Sequence, residues 1–485
     1  MLQHNQAPPD PRRWAMFAIL LVGSFLPPLD FFIVNVALPS IQSDLGTSSS
    51  AEQMVISSYA ALYAVTLTTG GRLGDLYGRS RVFFIGLVGF TAASVLCGIA
   101  WSPWVLILGR ALQGVTAAVI GPQALASVQA MFPESEKAKA LGLYGAVSGL
   151  AAVIGQALGG VLISLDLFGM GWRSVFFLNV PVAIVVMLLG IPMLKNRREP
   201  RTGKLDPGGV ILSMLTLAAL IVPLTEGREA GWPLWSWLSL AAVPMLAWVF
   251  WRHQGRLARN GGAPLLDPAV LRAPGLGRAL LVALAFYSLG SFFLLFSVYL
   301  QNALHVSALD AGLVVLPFGV GFLLGPLATP FFRRILGEWV NPIGMGLETV
   351  GFLVLAWLVI ATPTGLAPPP VLLAVILFAI GFGQGLGLPT LMRMITGRVA
   401  PAFSGMIAGL ASSTLQISTS LSVALIGGVF YTVIGGRDDP AAITHAFIVA
   451  AVCIAVCLGV GMLLSMSLAR RTPAATAGRR RVTSA

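Results

Sequence analysis

The chain has 485 residues, of which 56% are hydrophobic and only 10% charged, and its mean hydropathy is +0.87. Ordinary soluble domains do not reach that value, so the composition excludes a soluble globular protein. The formal net charge is +12; whether it marks a nucleic-acid surface depends on where the basic residues fall once membrane spans are drawn.

Apolar runs of about 20 residues, the length that crosses a bilayer as a helix, are read at 14–38, 52–72, 81–100, 104–131, 137–164, 173–194, 206–223, 235–252, 276–300, 309–332, 341–361, 370–392, 404–433 and 445–469. Backbone amides in lipid must be satisfied within their own segment, and the runs lack the two-residue alternation of a barrel. Each is therefore predicted as a helix, giving an all-α integral membrane protein with fourteen transmembrane helices. The N-terminal run has no small-residue cleavage site and reads as a retained helix.

Placing the N-terminus in the cytoplasm puts most of the basic residues on the inner side, including Arg12, Arg13, Arg79, Arg81, Arg252, Arg256, Arg259, the segment "KNRREPRTGK" and the "RRR" near the C-terminus. That satisfies the positive-inside rule with both termini cytoplasmic. The charge is topological, and no nucleic-acid partner is expected. Cys97, Cys453 and Cys457 lie in apolar spans and are expected to pack, without disulfide or metal-ligand spacing. His4, His253, His305 and His445 lie in tails or loops with no nucleophile motif nearby, so no enzyme, metal or organic cofactor is expected.

The chain divides into a six-helix half at 1–200, two additional spans at 201–256, a Gly-, Pro- and Arg-rich linker at 257–275, a second six-helix half at 276–470 and a basic tail at 471–485. "GGRLGDLYGRSR" after the second span is echoed by "PFFRRILGEW" after the tenth. Such internal symmetry is expected of a transporter built from repeats around a midplane site.

Three charges lie well inside spans: Asp30, Arg110 and Glu348. Each costs about 2.5–3.5 kcal/mol at a helix centre. Asp30 is about 24 Å up its helix at 1.5 Å per residue, and Arg110 lies early in a span running the other way, so the two fall at similar depth. A structural ion pair and a titratable acid that changes protonation with conformation are both open readings. Glu348 is expected to reach toward Arg333 and Arg334, with substrate or proton handling as the alternative.

Gly142, Gly145, Gly149, Gln156 and Gly160 share one face of the fifth span, where small residues let helices approach and the Gln156 amide needs a partner. Tyr59, Tyr63, Tyr287, Ser291, Gln384 and Gln416, with Gln113 one turn from Arg110, are candidates for a mostly apolar cavity or for interhelical packing. Ser307 and Asp310 read as a helix cap.

The stretches "LDFFIVNVALP", "GRLGDLYGRSR", "RALQGVTAA", "GQALGG" and "WRSVFFLNVP" occur in order in the right spans, followed by "YLQNALHVSALDAGLVVLP" and "GFGQGLGLPT". Over nearly its whole length the chain resembles the fourteen-span drug:proton antiporter-2 family of the major facilitator superfamily. The resemblance implies two six-helix halves with two inserted helices. It also implies a proton-coupled antiporter exporting amphipathic or hydrophobic, often cationic, compounds by alternating access. The expected setting is a bacterial inner membrane, with a small-molecule substrate, the lipid bilayer, the proton as coupling ion, and a functional monomer. It assigns proton coupling to Asp30 and Arg110, with Asn35 of the same first-helix motif joining the candidate cavity residues. It assigns a conformational latch to Gly71, Asp75, Gly78, Arg79 and Arg81. The sequence departs from the family pattern at Phe32, where threonine is usual, at Leu76 and Ser80, at Thr116, and at Gln156, where exporters carry proline. Proton symport or facilitated diffusion of a specific metabolite, and a transporter-like lipid-handling or receptor protein, are the alternative readings.

Overall fold

Long apolar helices account for almost all of the described chain. The computed structural model describes residues 11–194, 206–262, 264–399, 404–437 and 439–470, so the basic tail lies outside it. The helices, in order, are α1 (Arg13–Leu45), α2 (Ser49–Tyr77), α3 (Arg79–Gly98), α4 (Pro103–Met131), α5 (Glu134–Leu165), α6 (Gly171–Met193), α7 (Pro207–Glu229), α8 (Leu234–Arg259) and α9 (Leu276–Ala303). Next comes α10, in two pieces (Ala308–Val314 and Leu316–Leu336), then α11 (Val340–Ala361), α12 (Pro370–Thr396), α13 (Ser404–Ile434) and α14 (Pro440–Ala469). By length and composition, 11 segments of the described chain are apolar enough to cross a membrane, one of them the 54-residue stretch Ala308–Ala361 that contains both α10 and α11. The fourteen predicted spans each coincide with a helix, and the architecture is that of an all-α, multi-pass membrane protein.

Helix ends follow local chemistry. Ser48 caps α2 by accepting from the Ala51 amide at 3.2 Å, and Ser102 caps α4, whose first residue is Pro103. Asp439 caps α14, and Ser307 with Asp310 forms the predicted cap at the start of α10. At Gly78, φ of 93° lets α2 turn directly into α3, a conformation that a side chain would strain. Irregular geometry concentrates in α9, where Tyr287–Ser291 winds as a 3₁₀ turn and Tyr299–Ala303 as a π turn.

Helices α1–α6 pack among themselves, as do α9–α14, and the two groups meet along two seams. Along α2 and α13, Tyr431 donates to Glu52, Ser420 Oγ donates to the Ser57 carbonyl at 3.1 Å, and Ser413 Oγ to the Ala64 carbonyl at 2.7 Å. On the other side α5 meets α10 backbone to backbone, Gly160 lying against Ala308 and Leu309. Between the seams, Ile33, Leu38 and Ile41 of α1 share one apolar core with Phe292, Phe293 and Phe296 of α9. These contacts hold the halves together near the end of the bundle where α1 finishes. Nearer the other end, the clusters around Leu20, Phe83 and Phe90 and around Phe17, Val128 and Phe132 belong to α1–α6 alone.

The two extra helices pair with each other, and α7 lies against α2 and α13. By contrast α8 leaves Leu238, Met245 and Trp248 more than half exposed, as a bilayer-facing helix does. Both helices and the linker are clamped at one end. Asp206 accepts from Gln254 Nε2 at 2.6 Å and from the Gly209 amide at 2.8 Å and pairs with His253 Nε2 at 2.7 Å, while Gln254 Oε1 accepts from the Leu266 amide at 3.0 Å. Burial pushes the Asp206 carboxyl up, but the bonds from His253, Gly209 and Gln254 outweigh it and hold the group below its ordinary value. The linker continues through a single helical turn, Pro268–Leu271.

Candidate functional site

Asp30 sits in α1 just after Pro27 and Pro28, which remove two backbone donors from the helix. The Tyr59 hydroxyl of α2 donates to the Pro27 carbonyl at 3.1 Å, tying a neighbour to that weakened turn. Asp30, Arg110 and Gln113 are fully buried. Arg110 Nη1 donates to Asp30 Oδ2 and, at 2.9 Å, to Gln113 Oε1, while its Nε reaches the Val55 carbonyl at 3.0 Å. Asp30 Oδ1 accepts from Gln113 Nε2 at 3.0 Å and from Asn179 Nδ2 of α6 at 2.8 Å. Ser94 Oγ of α3 accepts from both amides, at 2.8 and 3.1 Å.

Every contact to Asp30 in this ring is a donor, so the arrangement fits a carboxylate. A protonated acid would aim a hydroxyl at one of those donors, and the donor would have to leave. Five helices, α1, α2, α3, α4 and α6, meet at this point, so displacement of one donor is felt across the half. Arg110 carries the remaining asymmetry: its guanidinium carbon stands 4.4 Å over the Tyr59 ring, and Nη2 has no hydrogen-bond acceptor among the described residues.

Close backbone contact makes this geometry possible. A Cβ on Gly114, one residue past Gln113, would lie 2.4 Å from the Tyr59 carbonyl oxygen. Gly114→Ala should therefore push α4 away from α2 and loosen the Arg110 contacts, costing about 1–3 kcal/mol of stability, the usual penalty for overpacking. Thermal unfolding in detergent would measure it; an unchanged midpoint would mean that the helices part without penalty.

The second buried acid behaves differently from its predicted role. Glu348 does not extend to Arg333 and Arg334, both of which are exposed; it is fully buried, and neither carboxylate oxygen has a hydrogen-bond partner among the described residues. It projects from α11 against α12, where its Cγ meets Gly383. That packing holds the side chain across the bundle, too far inside to snorkel.

Between the two acids runs a line of tyrosines. Tyr59 stacks on Tyr63 with ring centroids 6.1 Å apart, Tyr63 is within electrostatic range of Tyr287 on α9, and Tyr287 of Glu348. This line crosses from one half to the other. Asp30, Arg110, Gln113, Tyr59 and Tyr63 are thus joined by direct contacts within the first half, with Tyr287 and Glu348 facing them from the second at longer range. Asn35, Gln156 and Gln384 are buried on α1, α5 and α12, each with one amide atom unpartnered among the described residues. Ser291 is spent on Ser422 Oγ at 2.9 Å, and Gln416 is half-buried on α13.

Sequence reasoning missed Ser94 and Asn179. Asn179 was visible as a lone amide in "WRSVFFLNVP"; Ser94 gave no signal, because serine is common in helix packing. Cys97, expected only to pack, touches the ring through Sγ at 3.4 Å from Gln113 Oε1. In the loop motif, Arg79 Nη1 donates to the Ala126 carbonyl at 2.8 Å, Gly71 faces Pro122 of α4, and Arg81 is exposed. The Asp75 side chain lies outside the described residues.

Residues 20–423 match the model of the Major Facilitator Superfamily. The probable actinorhodin transporter of Streptomyces coelicolor is 35% identical over 437 residues, covering 89% of this chain and 74% of the relative. The puromycin resistance protein pur8 of Streptomyces alboniger is 38% identical over 87% of this chain and 82% of its own. The cephamycin export protein CmcT of Amycolatopsis lactamdurans is 33% identical over 93% and 92%. A structure solved in work on substrate recognition in proton dependent oligopeptide transporters shares the fold, with a TM-score of 0.67 at 15% identity over 94% of this chain and 99% of that one. The matched length, the helical architecture and the transporter relatives agree: the chain belongs to the Major Facilitator Superfamily, and it is a membrane transporter rather than an enzyme.

Proposed function

We propose that the protein exports amphipathic or hydrophobic, often cationic, compounds in exchange for protons, by alternating access across a bacterial inner membrane with both termini in the cytoplasm. The observation that carries this reading is the donor ring on Asp30. A proton arriving at the carboxylate removes the charge that holds Arg110, Gln113 and Asn179 together, and so converts protonation into movement of α4 and α6 against α1. Support for the direction comes from relatives named for export or resistance, in which antibiotics recur.

The driving force is about 1.4 kcal/mol per unit of pH gradient and about 2.3 kcal/mol per charge per 100 mV. Exchange of one proton for one monovalent cation is electroneutral and uses the first alone; a neutral substrate uses both. Proteoliposomes with pH gradient and potential imposed separately, screened with cationic and neutral antibiotics, test the proposal. Substrate should move against the proton. Movement of substrate with the proton would replace antiport by symport.

Glu348 is the second buried acid of the bundle; with no partner for a charge among the described residues, burial favours its neutral form, and a negative charge develops there only when a cation comes to pair with it. Since no hydrogen bond holds it, Glu348→Gln exchanges one unpartnered buried polar group for another of the same shape and should leave the protein folded, while selectively reducing export of dicationic compounds. Equal loss of monocationic, dicationic and neutral substrates would show that the residue is not a charge selector.

A further inference from the structure

The linker side of the two extra helices holds a cavity of about 430 Å³, lined by Trp251, Arg252, Arg256, Arg259, Pro268 and Arg272 together with Gly255. Arg252, Arg256 and Arg259 recur at four- and three-residue steps and so share a face of α8, while Arg272 comes from the turn after Pro268–Leu271. No carboxylate is among the lining residues. Arg252, Arg256, Arg259 and Arg272 are exposed, so solvent screens their mutual repulsion, and an anion entering the cavity would be attracted by all four.

The position of the cavity narrows what that anion is. Tryptophans flank α8 at both ends, Trp235 and Trp237 at one and Trp248 and Trp251 at the other, as residues at two membrane interfaces do. The arginines begin directly after the second pair, and the Arg252 guanidinium carbon lies 4.3 Å over the Trp248 ring. That is headgroup level. The far wall is held in place by the Asp206, Gln254 and Leu266 clamp, so Arg272 is presented to the α8 arginines by fixed backbone. Arginine forks match phosphate oxygens two at a time.

We propose that this cavity binds a phosphate-bearing anion, presented as the headgroup of an anionic lipid in the adjoining leaflet. The lipid pins the α8 end of the extra hairpin to the membrane surface. This site is separate from the Asp30 ring and does not depend on the direction or coupling of transport.

The test uses the full-length protein in mixed micelles of dioleoyl phosphatidylglycerol or dioleoyl phosphatidylcholine, with retained lipid counted by native mass spectrometry. R252Q/R256Q should weaken phosphatidylglycerol retention by about 30-fold, roughly five-fold per arginine. The control R333Q/R334Q removes the same charge from the exposed end of α10 and should leave it unchanged. Arg272→Gln, in a turn outside any helix, carries the same test if the double variant fails to purify. A parallel arm replaces lipid with inorganic phosphate and reads thermal stability. Stabilisation by phosphate alone, lost in R252Q/R256Q, assigns the same site to a free anion. Equal retention of both lipids by the wild type, or equal loss in the control and the cavity variants, overturns the proposal.

Discussion

Asp30→Asn is expected to abolish stimulation of transport by a pH gradient while leaving a folded protein. Asparagine keeps the shape of the side chain but cannot gain or lose the proton. Its amide must also place an NH₂ among groups that donate to Asp30, namely Arg110, Gln113 and Asn179. One of those contacts is then lost, at a cost of about 1–3 kcal/mol. The expected result is a variant with a lowered unfolding temperature, substrate exchange without a gradient, and no accumulation when the inside and outside pH differ. Proteoliposome flux, measured with and without the gradient at matched protein content, gives the comparison. Accumulation at the wild-type level would remove Asp30 from the coupling mechanism.

Arg110→Ala should be the more damaging substitution for the fold. It strips Asp30 of its one formal partner, deletes the bond to the Val55 carbonyl and the contact with the Tyr59 ring, and leaves an unpaired charge in a fully buried place. Breaking such a pair costs about 3–5 kcal/mol. Asp30→Asn combined with Arg110→Ala removes both charges and should recover about 0.5–3 kcal/mol relative to the sum of the single changes. It should not recover gradient-driven accumulation. Denaturation midpoints of the four proteins close the cycle; additive effects would mean that the two residues do not act as a pair.

Much of this was legible because lipid imposes strong rules. Fourteen apolar runs in sequence became fourteen helices because a backbone in hydrocarbon has no other partner than itself. Asp30 and Arg110 could be paired by counting residues along antiparallel spans, since rise per residue converts position into depth. Depth says nothing about rotation, however. That is why Glu348 was given a path to Arg333 and Arg334 although it faces α12, and why Ser291 was offered to a cavity although it bonds Ser422. Asn179 and Ser94 reach Asp30 from α6 and α3, through rotations fixed only when all the helices pack. The approach of Tyr63 to Tyr287 has the same origin: the two are 224 positions apart in sequence and come into electrostatic range only when the two halves close on each other.

The place of α7 has a consequence for how a greasy solute arrives. The bundle has two flanks where its halves meet, α2 with α13 and α5 with α10, and α7 lies against the first of them. A compound approaching sideways from the leaflet would find the first flank screened by α7, whereas among the described helices no extra helix covers the second. Lateral entry is therefore expected at the α5–α10 flank alone, and the outer face of the bundle is lopsided although its two groups of helices are alike in number.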